Sequence, residues 1–356
     1  MGVLITFNMT YSINKADLKK DKEDILALWK RNFSGIPEER YPWIYENNPS
    51  GSARCWLAKN SEENSVVGSV ALFPRRILIK GRYLVAGIAG DFSVIKEFRV
   101  FGPALSLQRE IASNYVNEGF DILYGLPDKQ SEEIVKRAGY SAIGNILWLT
   151  KPLNSQNYLK KNFKLPLIAE IASKPTDMVM KMLARENFYV RPKDYTYELL
   201  THFDSRFDIL WEKAAPQFTI IGEKTCSYLN WRFSRSPHSS YLTFVIKHAE
   251  TDEILGYIIF SIAQNRANIA DILSLNDHTL NALLSEFLLS LRRECIDSVS
   301  ISLAGCIDLV RKLQRYGFSI RGREGKLVAL FPPDSPFAQY ISEIKNWHFM
   351  AGDNDI

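Results

Sequence analysis

Five short motifs between residues 24 and 140 return in the same order about 180 residues later. Asp24-Ile-Leu26 with Trp29 returns as Asp208-Ile-Leu-Trp211. Trp43-Ile-Tyr45 before Pro49 returns as Tyr228-Leu-Asn-Trp231 before Pro237. Val66-Val-Gly68 returns as Ile254-Leu-Gly256, and Ala89-Gly-Asp91 as Ile269-Ala-Asp271. The stretch from Ile134 through Gly139-Tyr140 returns from Leu309 through Gly317-Phe318. One such match carries no weight, whereas five in register imply one supersecondary pattern built twice. Residues 1–152 and 196–356 then form two units, with 153–195 as a connector.

Local patterning gives each unit a mixed α/β content. Ile25, Leu26, Leu28 and Trp29 fall at helical spacing behind the acidic start Asp21, Glu23 and Asp24. Cys55–Ala58 and Val66–Phe73 read as strands. Arg76–Ile79, Lys80-Gly81 and Arg82–Ile88 read as a hairpin that runs on through Val94. A helix is expected from Pro103, a short strand at Ile122–Gly125, a helix over Ser131–Arg137 and a closing strand around Ile146–Leu149. In the connector, Leu165–Leu183 reads as helix broken at Pro175, with enough apolar side chains to pack on its neighbours.

Composition excludes several classes. With 46% apolar and 24% charged residues the chain is neither disordered nor a disulfide scaffold. No apolar run reaches the roughly 20 residues of a membrane span, and no signal peptide is expected. The net charge of +4 is spread thinly, so no nucleic acid partner is expected. Cys55, Cys226, Cys295 and Cys306 form no C-x-x-C pair, and the five histidines show no metal-ligand spacing. No metal is expected, and four scattered thiols fit a reducing, cytoplasmic setting.

The most informative segment is Val94-Ile-Lys-Glu-Phe-Arg99-Val100-Phe101-Gly102-Pro103-Ala104. It places Arg99-x-x-Gly102-x-Ala104 between a strand and a helix, where a loop can offer backbone N–H groups to phosphate. Gly102 permits close approach of a bulky anion, and Pro103 suits the first helical turn.

This segment resembles the fingerprint Arg/Gln-x-x-Gly-x-Gly/Ala of the GNAT superfamily of acyl-CoA-dependent N-acyltransferases. Gly139-Tyr140 and Gly317-Phe318 resemble the family's Gly-Phe pair. Tyr124-Gly-Leu-Pro127 and the closing stretch from Trp347 are similar to a subgroup linked to surface-sugar acylation. The resemblance implies two tandem GNAT-like domains, each a mixed, mostly antiparallel sheet flanked by helices. It implies acetyl-CoA or a related acyl-CoA as co-substrate, held by Val94, Arg99, Val100, Phe101, Gly102, Pro103 and Ala104. It also implies a small-molecule amine as acceptor, an amino sugar or surface-polysaccharide precursor being the subgroup's example.

Two departures matter. The family's usual general-acid Tyr, four residues before the Gly-Phe pair, is Val135 here and Leu313 in the second half. The second half's loop, Leu273-Ser-Leu-Asn-Asp277-His-Thr-Leu280, has no glycine and carries an acid, so that copy is expected not to bind CoA. Aminolysis of a thioester needs a neutral amine and a proton acceptor. Asp91, on the strand beside the expected acyl site, is the candidate base; its other reading is a buried acid or bulge residue. Tyr124 is the candidate substitute acid, and Trp43, Tyr45 and Arg232 are candidate acceptor-pocket residues, with core packing the alternative for the aromatics. Two other function classes stay open: a non-catalytic CoA-binding protein, and a Fem-type aminoacyl-tRNA-dependent transferase, against which Arg99-x-x-Gly102 weighs.

Overall fold

A computed structural model describes residues 10–33, 35–154 and 184–354. The helix expected over Leu165–Leu183 lies outside the described residues. The first half runs β1 (Tyr11–Lys15), α1 (Lys22–Asn32), a π-helical turn (Pro42–Glu46), β2 (Arg54–Asn60), β3 (Val66–Ile79), β4 (Arg82–Val94), α2 (Pro103–Asn114), β5 (Ile122–Gly125), α3 (Glu132–Arg137) and β6 (Ser141–Pro152). The second half runs β7 (Tyr195–Leu200), α4 (Ser205–Ala214), β8 (Ile220–Gly222), α5 (Cys226–Leu229), a π-helical turn (Asn230–Ser234), β9 (Leu242–His248), β10 (Ile254–Ala263), β11 (Arg266–Ser274), α6 (Asp277–Arg293), β12 (Ser298–Gly305), α7 (Ile307–Arg315) and β13 (Ser319–Leu330). Then come α8 (Ala338–Ile341) and β14 (Trp347–Met350). Each repeated sequence motif falls on the same kind of element in both halves: α1 with α4, the two π-helical turns, β3 with β10, β4 with β11, and α3 with α7.

The strands join into one sheet, in the order β1-β2-β3-β4-β5-β13-β6-β12-β11-β10-β9-β7. The order shows that the halves exchange their last strands. β13 pairs antiparallel with β5 of the first half, β6 pairs antiparallel with β12 of the second, and β6 and β13 pair with each other. β8 and β14 branch off this path and tie β3 to β12.

One face carries a core common to both halves, in which Ile25, Trp29, Trp43 and Tyr45 cluster with Phe207, Trp211, Trp231 and Phe349. The other face carries two separate cores. One lies under α2 and α3, with Leu107, Ile111, Val135 and Tyr140; the other lies under α6 and α7, with Leu283, Phe287, Leu309 and Leu313. No helix among the described residues is long and apolar enough to cross a membrane.

Candidate active site

β4 pairs in parallel with β5 over only three residues, Ala86↔Ile122 to Ile88↔Tyr124. Two things then pull the strands apart. The β3–β4 register slips between Ser69↔Ser93 and Ala71↔Gly90, a bulge at which Asp91 adopts a φ of 47°. On the other side β5 ends at Gly125, and Leu126-Pro127 leaves the sheet. Beyond Ile88 the β5-facing edge of β4 has no strand partner among the described residues, and a cavity of about 480 Å³ opens in the splay. A volume of this size suits part of a small ligand.

The cavity is lined by Ala89, Gly90, Asp91 and Phe92 of β4, by Gln108 of α2, and by Val135 and Tyr140 around the end of α3. Arg40 of the first half and His238 of the second close it. Three of the lining residues carry a buried polar atom without a hydrogen-bond partner among the described residues: Gln108 Oε1, Tyr140 Oη and His238 Nε2. A buried polar group left unpaired costs about 1–3 kcal/mol.

Chain geometry explains how Tyr140 arrives there. α3 ends in a Schellman motif, in which Gly139 takes a φ of 107° and the amides of Gly139 and Tyr140 donate to Lys136 and Val135 carbonyls at 3.0 and 3.2 Å. The residue after the glycine must turn inward. The second half repeats the device, with Gly317 at φ 87° and the Phe318 amide on the Leu313 carbonyl at 3.0 Å. There the inward residue has no hydroxyl. Burial raises the Tyr140 phenol's pKa, so it stays a proton donor at neutral pH.

At the other end of the splay stands the start of α2. Gly102 takes a φ of 91° as its N-cap, Pro103 follows, and no side chain caps the helix. Its first amides are left to solvent or a ligand. Arg99, exposed at the end of the 3-10 turn Lys96–Phe101, donates from Nε to the Val94 carbonyl at 3.1 Å. Val94 faces Gly68 of β3, its carbonyl is taken by Arg99, and the cavity meets β4 at 89–92.

The second half has closed both features. Asn276 and Thr279 form a capping box that satisfies the start of α6. β11 leaves β12 after Ile269↔Ile301, and β14 enters that gap, pairing Leu303–Gly305 of β12 with Met350–His348. A cavity of about 670 Å³ remains beside β14, with Asp277 and Asp308 in its wall together with Arg311 and Lys345.

Among the site residues read from the sequence whose side chains are described, Asp91 alone lines the first cavity. Its Oδ2 accepts from Arg40 Nη1 at 2.8 Å and Tyr45 Oη at 2.9 Å. In the second half the matching acid, Asp271, meets a different set, Lys224 Nζ at 3.0 Å and the hydroxyl of Tyr257 from β10 at 2.8 Å.

Tyr124, expected as an acid, donates its hydroxyl to the Asp353 carbonyl at 2.9 Å and packs on Trp347 and Phe349, in the common core. Tyr45 is committed to Asp91. Trp43 and Trp231 stack on one another. Arg232, buried, donates to the Gly352 and Asn354 carbonyls at 3.0 Å each. The structure thus places Trp43, Tyr45 and Arg232 in the core between the halves, where burial and internal bonds use up their polar ends.

Gln108, Tyr140 and His238 were not read as site residues. Two of them had a signal: a polar residue beside Leu107 on the buried stripe of α2, and a hydroxyl where the Gly-Phe pair has none; nothing local marks His238.

No protein-family model matches the sequence, nor does any curated protein sequence. Solved structures do match the fold. A probable N-acyltransferase from Enterococcus faecalis superposes with a TM-score of 0.67 at 14% identity, over 90% of this chain and 72% of the other. A GCN5-related N-acetyltransferase from Anabaena variabilis gives 0.64 at 16% identity, over 90% and 72%. N-myristoyltransferase of Saccharomyces cerevisiae with bound myristoyl-CoA gives 0.54 at 13% identity, over 91% and 79%. The fold is the GNAT fold.

Proposed function

We propose that this chain, two GNAT-fold halves sharing one sheet, transfers a short acyl group from acyl-CoA to a primary amine in the first-half cavity. The observation that carries the reading is the splay itself. Three residues with an unpartnered buried polar atom line a cavity that opens along a free strand edge, and an uncapped helix start stands at the end of that strand. The phosphates of the co-substrate suit the amides of Gly102 and Ala104 with Arg99 beside them. Its extended arm suits the free edge of β4, and the thioester end suits the cavity. The related structures are named as N-acyl- and N-acetyltransferases, and one holds myristoyl-CoA. A cavity of about 480 Å³ that must admit both thioester and amine favours acetyl over a long chain.

The chemistry follows from the lining. A neutral amine attacks the thioester carbonyl, and backbone N–H groups on the open edge of β4 stabilise the developing oxyanion. The C–N bond forms and the C–S bond breaks. Tyr140 Oη, kept protonated by burial, donates its proton to the departing sulfur. The amine nitrogen gives up one proton, and the products are the amide and CoA thiol. Asp91 holds Arg40 and Tyr45 in place as a positioning residue.

Calorimetric titration with acetyl-CoA, followed by thiol release against a panel of primary amines that includes amino sugars, tests the reading. One site per chain and amine-dependent release are expected. Absence of binding by any acyl-CoA would overturn it.

A further inference from the structure

The first-half cavity contains one histidine, and it comes from the other half. His238 sits in the loop between the second π-helical turn and β9, just after Pro237. Its ring lies edge-on to Trp43, centroids 5.7 Å apart and planes at 76°. Its Nε2 is buried and has no partner among the described residues, and the residue lines the same cavity as Asp91, Gln108 and Tyr140. Resting on the acyl-transfer reading above, we propose that His238 Nε2 is the proton acceptor for the attacking amine, so that the second half supplies a catalytic residue to the first half's site.

The other groups on this wall are less suited: the Asp128 carboxylate is exposed and accepts from the Gln130 and Ser131 amides. Asp91 Oδ2 takes two hydrogen bonds, one from a buried guanidinium. Tyr140 is a donor, and Gln108 cannot take a proton. An imidazole can accept a proton only while neutral, and the surroundings keep it so. Burial lowers the His238 pKa from its usual value, and Arg40 and Arg232 act in the same direction, with Asp91 opposing them. A neutral ring with one open nitrogen is a base near neutral pH. The step balances: the amine nitrogen bonds to the acyl carbon and loses a proton to Nε2, while sulfur leaves with the proton from Tyr140. The imidazolium then returns its proton, through solvent, to the tyrosinate.

This assignment gives the second half a function although its own splay is filled. It also gives a reason for the halves to be locked rigidly, since a base must stay within hydrogen-bond reach of its proton. The loop is anchored from the second half's side by the π-helical turn, whose Trp231 stacks on Trp43.

The test uses the full chain and its variants His238→Gln and His238→Asn. Acetyl-CoA affinity comes from calorimetry, folding from the thermal midpoint, and turnover from CoA thiol release with the best amine of the panel. In wild type, kcat/KM should rise with pH along a limb set by a group below the usual histidine range. Both variants should bind acetyl-CoA as wild type does and lose 10²-fold or more in kcat. The low-pH limb should vanish in both, and added imidazole should restore rate to a third variant, His238→Gly. Retained rate and limb in a folded variant overturn the base role, as does a loss found in Asp91→Asn but not in His238→Gln. Failure of wild type to bind any acyl-CoA overturns the acyl-transfer reading, and the base role with it. That outcome is read from binding alone.

Discussion

Trp43 and Trp231 stack with ring centroids 4.9 Å apart, and each indole Nε1 donates to the other's backbone carbonyl at 2.8 Å. Equivalent residues of the two repeats therefore meet across the junction of the halves. Both rings are buried and both N–H groups are satisfied, as buried indoles require. Trp43→Ala should cost about 3–5 kcal/mol of stability, because it also strands the Trp231 N–H and packing face. The double variant should cost clearly less than the sum of the two singles. Urea denaturation of wild type, both singles and the double closes the cycle. Full additivity would show that the pair is not a unit.

Strand exchange predicts that neither half folds alone. A fragment ending at residue 154 keeps β6 but loses β12 and β13, the strands on both its sides. β5 loses its β13 edge in the same fragment. The fragment should be aggregated or unfolded by circular dichroism and amide exchange. Co-expressed with the remainder of the chain, it should recover native secondary structure. A monomeric, cooperatively folded fragment would contradict the exchange.

Asp353 is the hub of a buried charge group. Its Oδ1 lies 2.9 Å from both Arg75 Nη2 and Lys224 Nζ, and Lys224 also meets Asp271. Burial alone would raise the Asp353 pKa, but Lys224 and Arg75 outweigh it and hold the carboxyl below the usual range. A carboxyl depressed by folding stabilises the native state above its unfolded value, near pH 4, and loses that contribution as pH falls toward the folded value. Asp353→Asn, which leaves two buried cations short of a counter-charge, should therefore cost about 3–5 kcal/mol at pH 7. The gap to wild type should narrow below about pH 4. Denaturation midpoints at pH 7 and pH 3 measure both.

At the phosphate loop, one acetyl-CoA should bind per chain. Gly102→Ala forces a side chain into a left-handed conformation, with Tyr11 Oη 3.3 Å from the new Cβ. Affinity should fall about 10-fold, the equivalent of roughly 1.4 kcal/mol, the scale of strain at such a position. Asn276→Gly, which uncaps α6, should not create a second site, because β14 still fills the splay. Two equivalent sites in wild type would refute the asymmetry.

Asp91→Asn separates scaffold from chemistry. Asparagine tolerates the positive φ but leaves Arg40 buried without its counter-charge, so the thermal midpoint should drop by several degrees. Turnover per folded molecule, measured well below that midpoint, should fall less than in His238→Gln.

The sequence by itself determined the duplicated α/β pattern, because helix and strand periods and glycine positions are local properties. Gly139 and Gly317 end their helices in Schellman motifs whatever lies beyond them, and Lys80-Gly81 turns its hairpin through two positive φ angles. Gly102-Pro103 marked the loop before α2, and the glycine-free segment with Asp277 marked its counterpart before α6, since these are local properties. What only the tertiary structure decided were the encounters between distant segments. The exchange of β6 and β13 leaves no local trace, because a strand's alternation is the same beside either neighbour. Tyr124 was equally opaque; it ends a strand beside the site, but its ring points to the common core and Asp353. His238 shows the limit most clearly. Nothing within ten residues of it speaks of a site on β4. Its place in the first half's cavity follows from two tryptophans, 188 positions apart, stacking where the halves join.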